Sequence, residues 1–152
     1  MKVVVKLNNN SKENLEKTIT HLFDCGYLDL IVFTSDNLLN SRILEKSFEL
    51  GANIVTLKSI EEGTFDILIN VKGSLIEGFL MVYSQEITKF NLKEVEKSHR
   101  NSTLLSTLLL SQNKTVAAFF ETEIFDYMKK PRHFEREVIP RIFEDGEVQF
   151  YI

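Results

Sequence analysis

Two patterns of apolar positions alternate along the first part of the chain: short unbroken apolar runs, and longer stretches in which apolar residues return every third or fourth position. Val3-Val4-Val5 is a β-branched run of the kind found in a strand covered on both faces, and it stops at the turn-forming Asn8-Asn9-Asn10. From Ser11, a good N-cap, apolar residues fall at Leu15, Ile19, Leu22 and Phe23 until Gly26 supplies a stop, which predicts an amphipathic helix. Leu30-Ile31-Val32-Phe33 reads as a second buried strand, and Thr34-Ser35-Asp36 offers caps for a helix carrying Leu39, Ile43, Leu44 and Phe48 up to Gly51. Asn53 to Leu57 predicts a third strand. Glu61 and Glu62 suit the positive first turn of a following helix, whose apolar side is Phe65, Leu68 and Ile69 and which Gly73 ends. Gly78 to Tyr83 is a fourth buried strand.

Four strand and helix alternations in about ninety residues argue for a parallel sheet, and right-handed crossovers put helices on both of its faces. The expected fold class is therefore α/β, a Rossmann-like three-layer sandwich with a mainly parallel central sheet. After Tyr83 the rhythm changes to a short charged helix around Leu92 to Lys97, then two strand-like stretches, Ser102 to Leu110 and Thr115 to Phe120. A last helical stretch from His133 contains Pro140, which should end or kink it, and Glu147 to Ile152 alternates as an edge strand does. The four residues Ser111-Gln112-Asn113-Lys114 are expected to join their flanking strands as a hairpin. No linker, low-complexity tract or internal repeat interrupts the pattern, so residues 1–152 are expected to form one domain.

Composition narrows the classes of partner. At 152 residues and 43% hydrophobic, the chain can bury roughly two-thirds of its unfolded surface. A net charge of −4 provides no broad positive field, so neither nucleic acid nor an anionic membrane is an expected partner. Cys25 is the only cysteine, which excludes an internal disulfide and a thiolate metal cluster and suits a reducing compartment; next to Phe23 it reads as a packing residue. No apolar run approaches the ~20 residues needed to span a bilayer, and Met1 to Leu7 is too short for the apolar part of a secretory signal. A cytoplasmic location is expected.

Several segments, taken in order, resemble those of the sugar-phosphate nucleotidyltransferases, which make nucleotide sugars from a nucleoside triphosphate and a sugar 1-phosphate. Leu15 to Phe33, with Gly26 and Asp29, resembles the family's "hL...G..dIvv" segment; Glu61-Glu62-Gly63-Thr64 resembles its "E..GTA" turn near the nucleotide base. Phe79 to Thr88 resembles the strand leading to the family's "GD.I" metal site, and His99-Arg100 with Thr107 resembles its "H......aT" stretch. Glu123-Ile124-Phe125-Asp126, Phe134-Glu135, Pro140, Gly146 and Tyr151 resemble the closing pattern. The resemblance covers nearly the whole chain and implies a nucleotide-diphospho-sugar transferase-like fold, shortened and degenerate.

The departures decide the functional expectation. In the family, strand one leads into a glycine-rich loop with an arginine and a lysine that holds the triphosphate; here Lys6-Leu7-Asn8-Asn9-Asn10-Ser11 follows. Such positioning can lower a barrier by about 7 to 11 kcal/mol. Gln85 stands where the family's aspartate would bind magnesium, and a neutral amide is a poor magnesium ligand. Glu86 could take that part only with a slip of one residue, which turns it to the opposite face of a strand. The family's lysine segment and much of its sugar-binding insert are reduced to residues 111–114. The resemblance with these losses implies a pseudoenzyme that binds a nucleotide, a nucleotide sugar or a partner subunit, as a homodimer or beside an active homologue, and uses no cofactor. An active nucleotidyltransferase completed by a partner, with Mg as its cofactor, and a purely structural module are the alternatives.

The candidate ligand-binding residues are Gly63 and Thr64, where a glycine admits close approach to a base, and Gln85 and Glu86, at the carboxyl end of a central strand, where open α/β sheets bind ligands. No catalytic or metal residue is named. His21, His99 and His133 are too scattered for a metal site and read as surface or boundary residues. The hydroxyls from Ser102 to Ser106 lack an accompanying histidine and acid. Lys129, Lys130, Arg132, Arg136 and Arg141 form a cationic run that reads as a solvated face. Of the twelve phenylalanines, six follow Ala118, to be buried either in a subunit contact or in a rebuilt core.

Overall fold

The computed structural model describes residues 1–8, 11–34, 41–58, 63–129 and 134–152. Strands β1 (Val3–Val5), β2 (Asp29–Thr34), β3 (Asn53–Lys58) and β4 (Phe79–Val82) run parallel, in keeping with the buried apolar runs of β1, β2 and β4. β5 (Ser106–Ser111) and β6 (Lys114–Phe120) form an antiparallel hairpin, β6 pairs antiparallel with β4, and β7 (Val148–Tyr151) joins the far side of β5 in parallel. The sheet order among the described residues is β3-β2-β1-β4-β6-β5-β7, so β6 alone runs against the rest.

Helices cover both faces. On one, α1 (Lys12–Asp24), α2 (Ser41–Leu50) and α4 (Leu92–Ser102) bury Leu15, Ile19, Leu22, Ile43, Leu92 and Val95 against Val3, Val5, Leu30 and Val82. On the other, α3 (Thr64–Val71), a 3-10 turn at Thr122–Met128, a π turn at Phe134–Val138 and α5 (Ile139–Glu144) pack on Val4, Ile31, Phe33, Phe79 and Met81. This is the expected three-layer sandwich. α1 starts as its sequence dictates: Ser11 Oγ accepts from the Asn14 N–H (3.1 Å), a cap that stabilises by about 1 kcal/mol.

Several local expectations are corrected. Leu44 and Phe48 of α2 point outward, because Ile43 alone meets the core, and Leu39 lies outside the described residues. β3 is an edge strand with Val55 and Leu57 exposed. Glu61, Glu62 and His133 also lie outside the described residues; the described part of α3 begins at Thr64, buries Thr64, Ile67, Leu68 and Val71, and leaves Ile69 exposed. α3 ends at Val71 with Lys72 as its C-cap, and Gly73 follows just past the cap as expected, within a 3-10 turn, Lys72–Ser74. Ser102 ends α4 rather than opening a strand. Pro140 occupies the first turn of α5, where a missing N–H costs nothing, and the wide π turn before it absorbs the change of pitch.

His99 is the clearest correction: it is 1% exposed, not a surface residue. Its Nδ1 lies 2.7 Å from Thr107 Oγ1 and its Nε2 lies 3.0 Å from Glu121 Oε1, with the ring stacked on Phe119. Gln149 Nε2 donates to the same Thr107 oxygen (2.8 Å). The Glu121 carboxylate can only accept, so a neutral His99 carries its proton on Nε2 and donates it to Glu121, and the Thr107 hydroxyl, which accepts from Gln149, donates to Nδ1. Gly78 lies beside this network: a Cβ there would come within 2.9 Å of Glu121 Oε2 and would push that carboxylate aside.

The hairpin expected at residues 111–114 is present. Ser111 pairs with Lys114, and the two turn residues, Gln112 and Asn113, both have positive φ (51° and 63°), the geometry of a type I′ turn. That conformation favours glycine at the second position. Asn113→Gly should therefore raise stability by about 0.5 kcal/mol, read as a small upward shift of the thermal midpoint.

Candidate functional site

The carboxyl ends of β1 and β4 meet the start of β6 around Tyr83. Its N–H donates to the Val116 carbonyl (2.9 Å), and its own carbonyl accepts from the Asn8 N–H (2.8 Å), so Tyr83 bridges the two neighbouring strands. Beside it opens a cavity of ≈ 430 Å³, within the size range of small-molecule sites. Tyr83, Phe120, Phe134, Leu108 and Ile139 form its apolar wall, and Asn8, Thr64, Lys114, Thr115 and Glu135 supply polar groups.

Thr64 Oγ1, in the first turn of α3, donates to Glu135 Oε1 of the π turn (2.7 Å). Burial, with the Glu135 carboxylate second, pushes the Tyr83 phenol well above its ordinary range. The phenol therefore stays protonated and presents a hydrogen-bonding O–H beside an apolar wall. Lys114 is the cation of the lining, on an exposed residue at the tip of the hairpin.

Of the residues singled out in the sequence, Thr64 lines this cavity and Gly63 is the adjacent N-cap of α3. Gln85 and Glu86 do not line it. They lie in a 3-10 turn, Gln85–Lys89, whose Ile87 belongs to the core on the opposite face of the sheet. Lys89 Nζ donates to Glu86 Oε1 (2.7 Å), and this bond, first among several causes, holds the Glu86 carboxyl below its ordinary range. Among the described residues at this edge, Gln85 is an amide, Glu86 is paired to Lys89 and Glu135 is bonded to Thr64, a set that does not fit a magnesium ion. Among the described residues, no group of three or more His, Cys, Asp or Glu converges to hold a metal.

Reading by sequence did not single out Asn8, Tyr83, Lys114 or Thr115, and placed Glu135 only within a motif. The first four meet through strand pairing across long sequence separations, and the available signal was positional: each lies at or beside a strand end, whereas Glu135 comes in on the π turn. Cys25 packs at the edge of the core as expected, 3.7 Å from His21 Nε2, with burial raising its thiol. In the cationic run, Lys130 and Arg132 lie outside the described residues, Lys129 pairs loosely with Asp126 (3.8 Å), and Arg136 and Arg141 are exposed. Four of the six late phenylalanines, Phe119, Phe120, Phe125 and Phe134, are in the core; Phe143 and Phe150 are exposed.

No protein-family model and no curated protein sequence matches the chain. Solved structures do. A Bacillus anthracis protein assigned as a glucose-1-phosphate thymidylyltransferase superposes with a TM-score of 0.67 at 9% identity, over 99% of this chain and 85% of that one. The 4-diphosphocytidyl-2C-methyl-D-erythritol synthase of Anaerococcus prevotii gives 0.61 at 10% identity, over 99% and 86% of the two chains. A UDP-glucose pyrophosphorylase complexed with UDP-glucose gives 0.59 at 8% identity, over 99% and 90%. Among the described residues, no helix is long and apolar enough to cross a membrane. The sheet order, the two helical layers and these likenesses together give the chain the fold of the nucleotide-diphospho-sugar transferases.

Proposed function

We propose that the chain is a shortened nucleotidyltransferase-like protein that has lost nucleotidyl transfer and keeps a binding site for a nucleotide or nucleotide sugar. The observation that carries this reading is the cavity at the carboxyl edge of the central strands, where aromatic Tyr83, Phe120 and Phe134 stand beside Lys114, Asn8 and Thr115. A planar base suits the aromatic wall, and a phosphate suits the ammonium and the neighbouring donors. Loss of catalysis is supported by the sequence that follows β1, which has no glycine-rich loop, and by Gln85 in place of the metal aspartate. The bond between Thr64 and Glu135 favours one competing reading, in which the old site has closed and the protein serves only as a structural module.

Calorimetric titration with nucleoside triphosphates, sugar 1-phosphates and nucleotide sugars, each with and without magnesium, separates these. The expected result is binding that does not need magnesium and that Lys114→Ala weakens about tenfold, the loss of one charged hydrogen bond. Absence of heat with every ligand would leave the structural module. Magnesium-dependent release of pyrophosphate from a nucleoside triphosphate and a sugar 1-phosphate would establish an active enzyme and overturn the proposal.

A further inference from the structure

Five large exposed apolar side chains lie on one stretch of the chain, Leu44, Phe48 and Leu50 on α2 and Val55 and Leu57 on β3. The placement of α2 orients the first two. Arg42 and Lys46 reach across to α1, to Glu16 (3.4 Å) and Asp24 (3.3 Å), while Ile43 faces the sheet. Leu44 and Phe48 come two residues later in each case, about 200° round the helix, and so flank the open β3 edge. Phe48 is 87% exposed there.

The hydrogen-bond phase of that edge is fixed. The Asn53 N–H donates to the Leu28 carbonyl (2.7 Å), and the parallel register runs from Asn53↔Asp29 to Lys58↔Thr34. Asn53, Val55 and Leu57 therefore bond inward to β2, and the N–H and C=O groups of Ile54, Thr56 and Lys58 point outward. Val55 and Leu57 share the sheet face of Ile31 and Phe33, with which they pair. From Asn53 to Leu57 the strand carries no proline and no charge, and Lys58 at its end is the one protecting charge.

We propose that a second copy of this chain covers the edge, β3 pairing antiparallel with the partner's β3 about a two-fold axis through Thr56. An axis normal to the sheet keeps the same face uppermost in both copies, so residues of equal parity meet. Centred on Thr56, it sets Thr56 opposite the partner's Thr56 and Ile54 opposite the partner's Lys58. All of these have outward-pointing groups, so the open donors and acceptors of β3 are satisfied. Val55 then faces the partner's Leu57 in the close, non-bonded pair, where apolar side chains approach most nearly. On the other face the Leu44 and Phe48 strips of the two copies meet, and no like charges oppose each other along the strand. The exposed apolar side chains of two copies bring together on the order of 1,000 Å², the threshold of a specific interface. The inference is independent of what the cavity binds.

Sedimentation of the full chain over micromolar to sub-millimolar concentrations tests it. Wild type should sediment at twice the chain mass. Thr56→Pro removes an outward N–H that β2 does not use, and Phe48→Glu alters a side chain with almost no contact in the monomer. Each should give one chain mass at concentrations where wild type is paired, with far-ultraviolet circular dichroism unchanged, while Phe150→Glu at the opposite edge leaves the mass of wild type. A wild type that stays at one chain mass overturns the proposal. So does a dimer that survives Phe48→Glu and Thr56→Pro, or one that is lost only in Phe150→Glu, which would assign the contact to β7.

Discussion

Phe120→Ala is expected to destabilise the protein by about 3–5 kcal/mol, a large share of what a chain of this size has to lose. Phe120 is 1% exposed and lies between Phe79 and Phe134, with ring centroids 5.7 and 5.5 Å away. Phe79 in turn stacks on Phe125 at 6.0 Å. The cluster joins β4 and β6 to the turns that cover them, so its loss loosens two layers at once. Urea denaturation should show a lower midpoint with an unchanged slope. Phe143→Ala, with a ring 58% exposed, should move the midpoint by far less. Because Phe120 also lines the cavity, the variant should lose affinity for the proposed nucleotide ligand along with stability. A loss under about 1 kcal/mol would mean that the cluster collapses onto the void, and the argument from packing would fail.

The second large effect centres on His99. His99→Leu should cost about 2–3 kcal/mol, because it leaves the buried Thr107 hydroxyl proton without an acceptor and removes the bond to Glu121 and the ring stacked on Phe119. Wild type should also lose stability in acid for a reason specific to this site. Burial, partly opposed by the Glu121 carboxylate, lowers the tendency of His99 to take a proton, and Arg100 adds to the lowering. A protonated ring carries a proton on Nδ1 as well, so the Thr107 hydroxyl proton loses its acceptor there. The unfolded chain therefore binds the proton more readily than the folded one. Stability from this group is complete above the ordinary histidine value of about 6.5 and falls as pH drops below it, by at most about 1.4 kcal/mol per pH unit. Chemical denaturation at pH 7.5 and 5.5 should show the drop in wild type and a smaller one in His99→Leu. Equal drops would place the acid sensitivity elsewhere.

The first half of the fold was legible because local signals there agree with one another. Ser11, the apolar spacing to Phe23 and the positive φ of Gly26 each point to the same helix, and β1, β2 and β4 are apolar because both faces are covered. The misreadings share one cause, that tertiary context decides burial. Leu44 and Phe48 fit a helical stripe but face an open edge, and His99 is polar yet buried because Thr107 and Glu121 come to it from two strands. Pro140 was legible as a perturbation but not as a first-turn residue, since a π turn has no sequence signature as strong as a cap. For the site, Thr64 was legible from its turn, whereas Tyr83 and Lys114 are brought together by the order of the strands and Glu135 by the π turn that packs over them.

The hairpin between β5 and β6 also bears on how chains of this fold can differ in length. Ser111 and Lys114 are paired partners, so any segment placed between them leaves and re-enters the sheet at adjacent points. Its presence or absence changes neither a ladder bond nor a buried face, only the entropy of closing a loop, which grows by about 0.6 kcal/mol for each doubling of length. Material at this tip can thus be gained or shed almost without thermodynamic consequence for the sheet, and because Lys114 lines the cavity, whatever stands there lies over its mouth. The fold separates the part of the chain that sets its stability from the part that can be exchanged.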